Sequence, residues 1–412
     1  MASHSPGVLR GAPPDRVRDA ISADDPLPGG CGFAGLLADP PDREGPVLVR
    51  DVLGREPLFV ERGSADPRTG GDPTDPAAWS FDRRVLADPE PVPAGCVASG
   101  DGVERVWSLP DGGPVEPETG QAAVDDALAG ALADLARNVD SNVPGSDGAS
   151  ASDSDGLAIA FSGGVDSGVV AAAVPDAPTY VAGFEGCHDV AAARDAAEAM
   201  GRFRASETNR TPDLRVVEIT HDDLVRAVRE VARATGRRNP MDVAIAVPLY
   251  LAAEAAAADG MERLAVGQGA DELFGGYSKV VEPADDHRVD ADTVRGARTE
   301  TVRTLPDQLE RDVLALRAAG VEPVAPLLDD RVVAAALALP GGLLATGGER
   351  KVALRRAAAE YVPDSVRTAD KKAVQYGTYV SRELDRLARR AGFKRRMDDH
   401  VGQYLDALLG GE

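Results

Sequence analysis

The stretch Leu157–Ser167, LAIAFSGGVDS, decides the fold class of the second half of the chain. Its first five residues form the short apolar run that is typical of a buried parallel strand. Gly163 and Gly164 lack a Cβ, so the backbone there can turn sharply and bring its N–H groups close to an anion. A helix that begins near Val165 would add further N–H donors and the positive end of its dipole. The stretch therefore predicts a strand, an anion-binding turn and a helix in direct succession.

The side chains of this turn indicate which anion it binds. Ser162 and Ser167 can donate hydroxyl hydrogen bonds to phosphate oxygens, whereas Asp166 would repel a bare phosphate. We therefore interpret Asp166 as a ligand of Mg²⁺, which proteins bind through one or two carboxylates plus phosphate oxygens. The stretch lacks the lysine of the G-x-x-x-x-G-K-[ST] loop, which grips the β and γ phosphates of a nucleotide. These residues suit a loop that holds the pyrophosphate of ATP, although two glycines would also close an ordinary strand-to-helix turn.

A second motif, Gly267–Tyr277 (GQGADELFGGY), is a glycine-rich turn with carboxylates that follows another predicted strand. The predicted strands are Leu157–Phe161, Thr179–Phe184, Leu214–Ile219 and Leu264–Val266, and the helices between them are Val190–Met200, Asp222–Ala234 and Met241–Ala258. This alternation predicts an α/β fold with a parallel, doubly wound sheet, in which ligands bind beyond the carboxyl ends of the strands. Because both motifs follow such ends, they predict an enzyme that splits ATP between its α and β phosphates.

The rest of the chain divides into segments of different composition. Met1–Gly30 is rich in Pro, Asp, Ser and Gly and is predicted to be disordered. Residues 31–117 contain short apolar runs broken by Pro and Gly, which predict a small, mostly β domain. Residues 118–405 form a predicted α/β domain, with a helix at Ala122–Ala136 and a flexible acidic loop at 138–156. Its carboxyl-terminal part is predicted to be helical, at Leu305–Ala319, Arg331–Leu339, Arg350–Tyr361 and Ser381–Arg390.

Composition narrows the possible environments of the protein. The 412 residues carry a net charge of −23, and five of the 45 basic residues are lysines: Lys279, Lys351, Lys371, Lys372 and Lys394. The many negative charges repel one another, and high salt screens this repulsion. We therefore interpret the acidic surface as halophilic, an adaptation to a salty cytoplasm. The same charge disfavours binding to nucleic acid. The sequence has no long apolar run and no apolar segment near its amino terminus, so we expect no membrane span and no secretion signal. The three cysteines are far apart in the sequence, which fits a reducing cytoplasm.

From about Ala122 to about Tyr379 the chain resembles the synthetase half of the glutamine-dependent asparagine synthetases, a family that includes the β-lactam synthetases. Six segments carry this resemblance in order: SGGVDS (Ser162–Ser167), FEGCHD (Phe184–Asp189), GADELFGGY (Gly269–Tyr277), PLLDDRVV (Pro326–Val333), ERKVALRRAA (Glu349–Ala358) and DKKAVQYG (Asp370–Gly377). The resemblance implies a fold of the ATP-pyrophosphatase type with ATP and Mg²⁺ as cofactors.

The resemblance also implies roles for single residues. The residues that would grip pyrophosphate are Ser162, Gly163, Gly164, Asp166 and Ser167. Those that match the lining of the adenosine pocket are Phe161, Ala182, Val266 and Gly267. Asp166 and Asp271 match the Mg²⁺ ligands. Lys371 matches the lysine that stabilises the adenylation and amide-forming transition states, a role that suits a preorganised cation beside a leaving pyrophosphate.

One departure from the family concerns the base. Gln268 lies where the family's loop reads G-E-G, and a glutamine can hydrogen-bond the attacking nitrogen but cannot act as a base. Either Glu272 or Asp329 then deprotonates the amine, or the nucleophile and the acceptor differ from ammonia and aspartate. Both carboxylates also have structural interpretations, as helix caps or as partners of an arginine such as Arg355.

A second departure concerns the amino-terminal region. Cys31-Gly-Phe-Ala-Gly and Arg50–Val60 resemble parts of an N-terminal-nucleophile glutaminase, but residues 31–117 are shorter than that domain. Cys31 is also internal, and cleavage after Gly30 would be needed to free the α-amine that activates such a nucleophile. We therefore expect a degenerate glutaminase-like domain in which Cys31 is a packed residue.

The function that these observations favour is an amide-forming ligase. A carboxylate, the β-carboxylate of aspartate or a similar one, would attack the α-phosphorus of ATP, and the acyl-adenylate would then react with nitrogen from ammonia or glutamine. Alternatives are a β-lactam-synthetase-like or other adenylating enzyme with a different acyl acceptor, a tRNA-modifying enzyme with the same loop, and a non-catalytic ATP sensor. Small molecules are the expected partners, and a homodimer is considered as the oligomeric state.

Overall fold

The structure, a computed structural model, describes residues 9–68, 71–140, 156–204, 211–369 and 373–410. The chain forms two units, each assembled from three stretches. The first unit contains Met1–Leu128, Gly269–Val313 and Leu327–Ala353, and the second contains Ala129–Gln268, Leu314–Pro326 and Leu354–Glu412.

The described residues form the following elements. The strands are β1 (Ala34–Leu37), β2 (Val47–Arg50), β3 (Phe59–Glu61), β4 (Trp79–Ser80), β5 (Pro89–Pro91), β6 (Cys96–Ser99), β7 (Gly102–Arg105), β8 (Leu157–Ala160), β9 (Thr179–Gly183), β10 (Leu214–Glu218), β11 (Arg263–Ala265), β12 (Glu322–Val324), β13 (Ala345–Thr346) and β14 (Glu349–Arg350). The helices are α1 (Pro14–Ala23), α2 (Pro117–Asp140), α3 (Val165–Ala173), α4 (His188–Arg204), α5 (His221–Thr235), α6 (Pro240–Ala258), α7 (Ala270–Phe274), α8 (Val294–Val302), α9 (Leu305–Ala319), α10 (Asp330–Leu337), α11 (Gly341–Leu344), α12 (Val352–Ala357), α13 (Asp364–Arg367), α14 (Val374–Gly377), α15 (Val380–Arg390) and α16 (His400–Leu409).

The second unit is built on a five-stranded sheet in the order β10-β9-β8-β11-β12, with every pairing parallel. The predicted α/β fold with a parallel sheet is thus confirmed. The chain adds β9 and β10 on one side of β8 and then returns to add β11 and β12 on the other. In open α/β sheets the crevice for a ligand forms where the strand order reverses in this way. The loops after β8 and β11 therefore leave the sheet at the position expected for a ligand.

The fifth strand, β12, was not among the predicted strands. It has three residues, it contains Pro323, and it lies at the edge of the sheet beside β11. A proline is tolerated in an edge strand because one side of the strand has no neighbour to receive its missing N–H. A strand this short and interrupted leaves no periodic pattern in the sequence.

One face of this sheet is covered by α5, α6, α15 and α16, which share a single apolar core with it. Tyr180 and Ala182 of β9 point into this core, and α6 packs on β9, α5 and α15. Among the described helices, α6 alone has the length and apolar composition to cross a membrane, and 56% of its most apolar window is buried in the protein. A helix that contacts neighbours on several sides is apolar all round for this reason.

The first unit contains two antiparallel sheets in its amino-terminal stretch. The larger has the order β1-β2-β6-β7, with Ala34 opposite Arg50, and the smaller has the order β4-β3-β5. Leu48, Leu58 and Trp79 contribute to the core of these sheets. The unit also contains α7, α8, α10, α11 and the hairpin β13–β14.

The segment Met1–Gly30 differs from the expectation of disorder, because Pro14–Ala23 within it form α1. Pro14 occupies the first turn, where a proline is favoured, and Asp24 ends the helix in a left-handed conformation that donates its N–H to the carbonyl of Ala20. Ala20 is also held by the indole N–H of the buried Trp107. Few buried side chains hold this helix in place, so its polar composition concealed it.

Helix α8 was also missed, and a buried charge explains why. Arg298 on α8 is 1% exposed, and its guanidinium donates to the carbonyls of Ala336 and Leu337 at the end of α10. Burial lowers the pKa of Arg298 to about 10. A charged residue on the inner face breaks the apolar period that predicts a helix. The predicted loop at 138–156 lies mostly outside the described residues, and α2 extends to Asp140.

Candidate active site

The turn after β8 has the geometry that an anion-binding loop requires. Gly163 has a φ of +78°, and a Cβ at this position would lie 2.5 Å from the carbonyl oxygen of Ala192. Only glycine fits both the left-handed backbone and the close approach. Gly164 follows as the first flanking residue of α3 and has no side chain with which to cap the helix. The first N–H groups of this nine-residue helix can therefore be satisfied by an anion.

The two serines of the loop fix its shape from inside. The hydroxyl of Ser167 accepts the N–H of Ser162 at 3.2 Å, donates to the carbonyl of Gly164 at 3.3 Å, and lies 3.3 Å from the Ser162 hydroxyl. Ser167 is buried and Ser162 is half-buried. The backbone N–H groups of the glycine-lined turn, held in this shape by the two serines, fit a polyphosphate such as that of ATP.

The first residue of the second motif packs directly on this loop. Strand β11 lies beside β8, with Ala265 opposite Ile159. Two residues later, a Cβ on Gly267 would lie 2.9 Å from the Cβ of Asp166 and 3.1 Å from the backbone nitrogen of Ser167. Glycine is needed at position 267 because the two segments of the chain approach each other closely there. The structure thus brings Gly267 and Asp166 together, and Gln268 follows, half-buried.

The residues expected to line the adenosine pocket are mostly part of the core. Phe161 is 1% exposed, Ala182 is 4% exposed and Val266 is 2% exposed. The N–H of Phe161 donates to the carbonyl of Tyr180 on the neighbouring strand. These side chains are buried in the protein core, so a nucleotide would contact the backbone atoms of these residues.

The acidic loop lies in the first unit and forms the short helix α7 between Gly269 and Gly275, both with positive φ. Asp271 is half-buried, and its Oδ1 lies 2.7 Å from Nζ of Lys351. Glu272 is buried and accepts a hydrogen bond of 2.5 Å from the hydroxyl of Tyr277. Burial and the neighbouring carboxylate of Asp271 raise the pKa of Glu272 to about 7. The loop therefore holds one carboxylate beside a cation and one beside a phenol.

Asp329 has the contacts of a helix cap. It precedes α10 and accepts the N–H of Arg331 at 2.9 Å. Its Oδ1 and Oδ2 also accept from the Arg331 guanidinium at 2.8 and 3.0 Å. The arginine that pairs with it is thus Arg331, and not Arg355, which donates instead to the carbonyl of Ala369 in the second unit. Local sequence placed Asp329 correctly as a potential cap but did not identify its partner.

Lys371 lies outside the described residues, but the segment that follows it is anchored to the sheet. A Cβ on Gly377 would lie 1.9 Å from Oδ1 of the buried Asp189, so that carboxylate would have to shift to admit a side chain there. The N–H of Phe184 donates to the carbonyl of Thr378 at 3.2 Å. Two of the six segments, FEGCHD and DKKAVQYG, therefore meet at the carboxyl end of β9.

The predicted Mg²⁺ ligands are Asp166, which lies in the second unit, and Asp271, which lies in the first. Within the described ranges, no group of three or more His, Cys, Asp and Glu residues could hold a metal ion. A nucleotide-bound Mg²⁺ needs only one or two protein carboxylates, because phosphates and waters complete its shell. The Oδ1 of Asp271 is paired with the ammonium of Lys351 at 2.7 Å. The assignment of Asp166 and Asp271 as Mg²⁺ ligands stays a prediction.

The comparison with protein families follows the same residues. A family profile described as asparagine synthase matches residues 152–408, which is more than half of the chain and includes all six segments. The chain belongs to the asparagine synthase family. A provisionally named glutamine-hydrolyzing asparagine synthetase 1 of Methanocaldococcus jannaschii is 28% identical over 289 residues, which cover 62% of this chain and 51% of that protein. The chain thus spans about half the length of this relative.

Family membership draws attention to one residue that sequence reasoning did not assign to the site, Lys351. It lies in the family segment Glu349–Ala358, and it is 7% exposed. Its contact with Asp271 joins residues that are far apart in the chain. The available signal was its identity, because lysines are rare in this chain.

Proposed function

We propose that this protein is an ATP- and Mg²⁺-dependent ligase that adenylates a carboxylate and transfers the acyl group to nitrogen. The observation that carries the proposal is the packing of Gly267 on Asp166, at the reversal of strand order between β8 and β11. It supports a nucleotide site at that crevice, as does membership of the asparagine synthase family. We assign the sheet to the ATP-pyrophosphatase type on the same grounds.

In this proposal the chain positions ATP for attack at its α-phosphorus. The N–H groups of the glycine turn, with Ser162 and Ser167, hold pyrophosphate oxygens. Asp166 and Asp271 would each ligate Mg²⁺, which neutralises phosphate charge when bound. Lys371, close in sequence to the anchored segment at Gly377, would stabilise the charge that develops as pyrophosphate leaves.

The reaction then proceeds in two steps with balanced atoms. A carboxylate oxygen of the substrate bonds to the α-phosphorus while the bond to pyrophosphate breaks. A nitrogen nucleophile then attacks the acyl carbon, AMP leaves, and a proton passes from nitrogen to a base. We assign that base to Glu272 rather than Asp329, because both oxygens of Asp329 already accept from Arg331. Gln268 would orient the nitrogen by hydrogen bonding.

The surroundings of Cys31 support free ammonia or an amine, rather than glutamine, as the nitrogen source. The carbonyl of Gly30 accepts the N–H of Asp330 at 2.9 Å, and the N–H of Gly29 donates to the Asp330 carboxylate at 2.9 Å. These bonds hold the peptide that cleavage would have to open. Cys31 is exposed as a residue, which corrects the expectation that it is packed, yet desolvation of its thiol and the carboxylate of Asp329 raise the pKa of that thiol to about 11. A thiol in this state is a poor nucleophile at neutral pH.

The test is product analysis with the purified chain in molar KCl, because a net charge of −23 requires screening. With ATP, Mg²⁺, aspartate and ammonia we expect AMP and pyrophosphate in equal amounts, together with asparagine. Asp166→Ala should abolish pyrophosphate release, and Cys31→Ala should leave ammonia-dependent turnover unchanged. ADP as the sole nucleotide product would refute the proposal. Turnover with glutamine that Cys31→Ala removes would refute the assignment of the nitrogen source.

Gln268 favours a second candidate, an adenylating ligase with a different acyl acceptor, as in the β-lactam synthetases. A family member that lacks the G-E-G glutamate need not use ammonia as its nucleophile. A screen of amino-acid carboxylates and amines, monitored by pyrophosphate release, separates the two. Pyrophosphate release from aspartate and ATP without ammonia, together with no asparagine formed when ammonia is added, would favour this second candidate.

A further inference from the structure

The backbone conformation of Lys351 and the hairpin before it fix the position of its side chain. It follows the hairpin β13–β14 directly, and its backbone is left-handed, with a φ of +57°. A residue with a side chain adopts this conformation only where its surroundings impose it, and such residues cluster at functional sites. Its neighbour Arg350 pairs with Ala345 in the hairpin and donates to the carbonyl of Gly276 at 2.8 Å. The hairpin therefore delivers Lys351 to the acidic loop.

The acidic loop in turn leaves room for this lysine. A Cβ on Gly276 would lie 1.9 Å from Oδ1 of Asp271 and 2.4 Å from Cε of Lys351. The absence of a side chain at Gly276 is what allows the ammonium to reach the carboxylate at 2.7 Å. Side-chain exposure is 9% for Lys351 and 47% for Asp271. The ion pair thus has one face buried in the protein and one face open to solvent.

The choice of lysine is informative in this chain. Arginine supplies 40 of the 45 basic residues, since lysine is found at five positions. An ammonium is a compact point charge, whereas a guanidinium is a flat fork that binds in a fixed plane. Burying an ammonium is costly unless it is paired. A compact cation at this position therefore places positive charge on the same carboxylate oxygen that a metal ion would use, with one unit of charge where a divalent ion carries two.

We infer that Lys351 is an internal substitute cation, which occupies Asp271 in the nucleotide-free protein and makes metal binding at Asp271 depend on the nucleotide. The inference rests on the proposed function, because it takes Asp271 to be a ligand of nucleotide-bound Mg²⁺. Without nucleotide, a divalent ion at Asp271 is repelled by the ammonium beside it. With nucleotide, the phosphates supply the negative charge that accommodates both cations. Lys351 is a positioning residue in this scheme, and it prevents unproductive uptake of metal.

The test measures Mn²⁺ binding by the loss of its free electron-spin-resonance signal, in molar KCl, with the full chain. Without nucleotide, Mn²⁺ should bind at Asp271 about 10- to 30-fold more tightly in Lys351→Met than in the wild type, because the variant lacks the unit charge next to the divalent ion. Lys351→Arg should not show this gain, and Asp271→Asn in the Lys351→Met background should remove it. A purely structural role for Lys351 predicts no gain of affinity.

The matched control is Lys279→Met. It makes the same charge change near the same loop, where the Lys279 ammonium lies 5.7 Å from the centre of the Tyr277 ring, and should not create the site. An equal gain in Lys279→Met would show that net charge alone controls Mn²⁺ binding and would overturn the inference. So would unchanged Mn²⁺ binding in Lys351→Met.

A second comparison keeps the inference testable if Lys351→Met does not fold. The wild type and Asp271→Asn should bind Mn²⁺ equally without nucleotide and differ when ATP is present. A loss of nucleotide-free binding in Asp271→Asn would overturn the inference. The pyrophosphate assay on the wild type is independent of both comparisons. Its failure, together with a gain of Mn²⁺ binding in Lys351→Met, would refute the proposed ligase reaction and leave the role of Lys351 standing.

Discussion

Replacement of Gly267 by alanine tests the proposed site at its most crowded point. The new Cβ would lie 2.9 Å from the Cβ of Asp166, 3.0 Å from its carbonyl carbon and 3.1 Å from the nitrogen of Ser167. Carbon atoms in ordinary contact are about 3.5–4.0 Å apart, so one chain has to move by about 0.5–1 Å. Two of the three contacts are backbone atoms, so no change of rotamer can relieve them. The backbone at Gly267 itself does not need a positive φ, so the effect comes from crowding alone.

The displacement predicts different magnitudes for stability and for activity. Overpacking of this kind costs about 1–3 kcal/mol of unfolding free energy. A shift of about 1 Å in a residue that positions reacting groups can lower the rate about 100-fold. Gly267→Ala should therefore remain folded in molar KCl while its substrate-dependent exchange of labelled pyrophosphate into ATP falls by about two orders of magnitude.

Gly342→Ala is the control for this measurement. Gly342 is exposed in α11, and a Cβ there would meet nothing within 4 Å. Its exchange rate should equal that of the wild type, and its stability should be equal or slightly higher because glycine is unfavourable in a helix. Exchange in Gly267→Ala within threefold of the wild type would refute the reasoning, and an equal loss in both variants would show that the effect is not local.

Three further outcomes follow from other contacts. Arg55→Met removes the cation from a buried network with two carboxylates and should cost about 3–5 kcal/mol in urea unfolding. Arg62→Met, at an exposed pair, should leave the urea midpoint nearly unchanged, and similar losses in the two variants would contradict this. The thiol of Cys31, with a pKa of about 11, should react with iodoacetamide about 200-fold more slowly at pH 8 than an ordinary cysteine. Its rate, measured by peptide mass spectrometry, should rise about tenfold per pH unit up to pH 11 as thiolate forms. A rate that is constant below pH 9 would disprove this. Gly377→Ala, whose Cβ would strike Asp189, should lower the thermal midpoint and slow pyrophosphate release, and an unaltered enzyme would show that this anchor is dispensable.

Elements with strong local signals were visible in the sequence. Helix α9 coincides with the predicted range Leu305–Ala319, and α5 begins one residue before its predicted start. The start of α5 is marked by a capping box, in which Thr220 and Asp223 bond reciprocally to each other's backbone N–H groups. The strand, glycine turn and helix around Gly163 were likewise predictable, because each depends on neighbours within a few residues.

The sequence by itself therefore determined the fold class, the two motifs at strand ends and the family to which they belong, since periodicity, glycines and caps act over short range. Tertiary structure decided which residues meet. It placed Gly267 against Asp166, and it joined Asp271 to Lys351. These contacts depend on how distant segments pack, and the free energy of a buried ion pair or a close backbone approach leaves no periodic trace in the chain. The role of a side chain such as Lys351 becomes visible only in the folded protein, where it lies next to the carboxylate of Asp271.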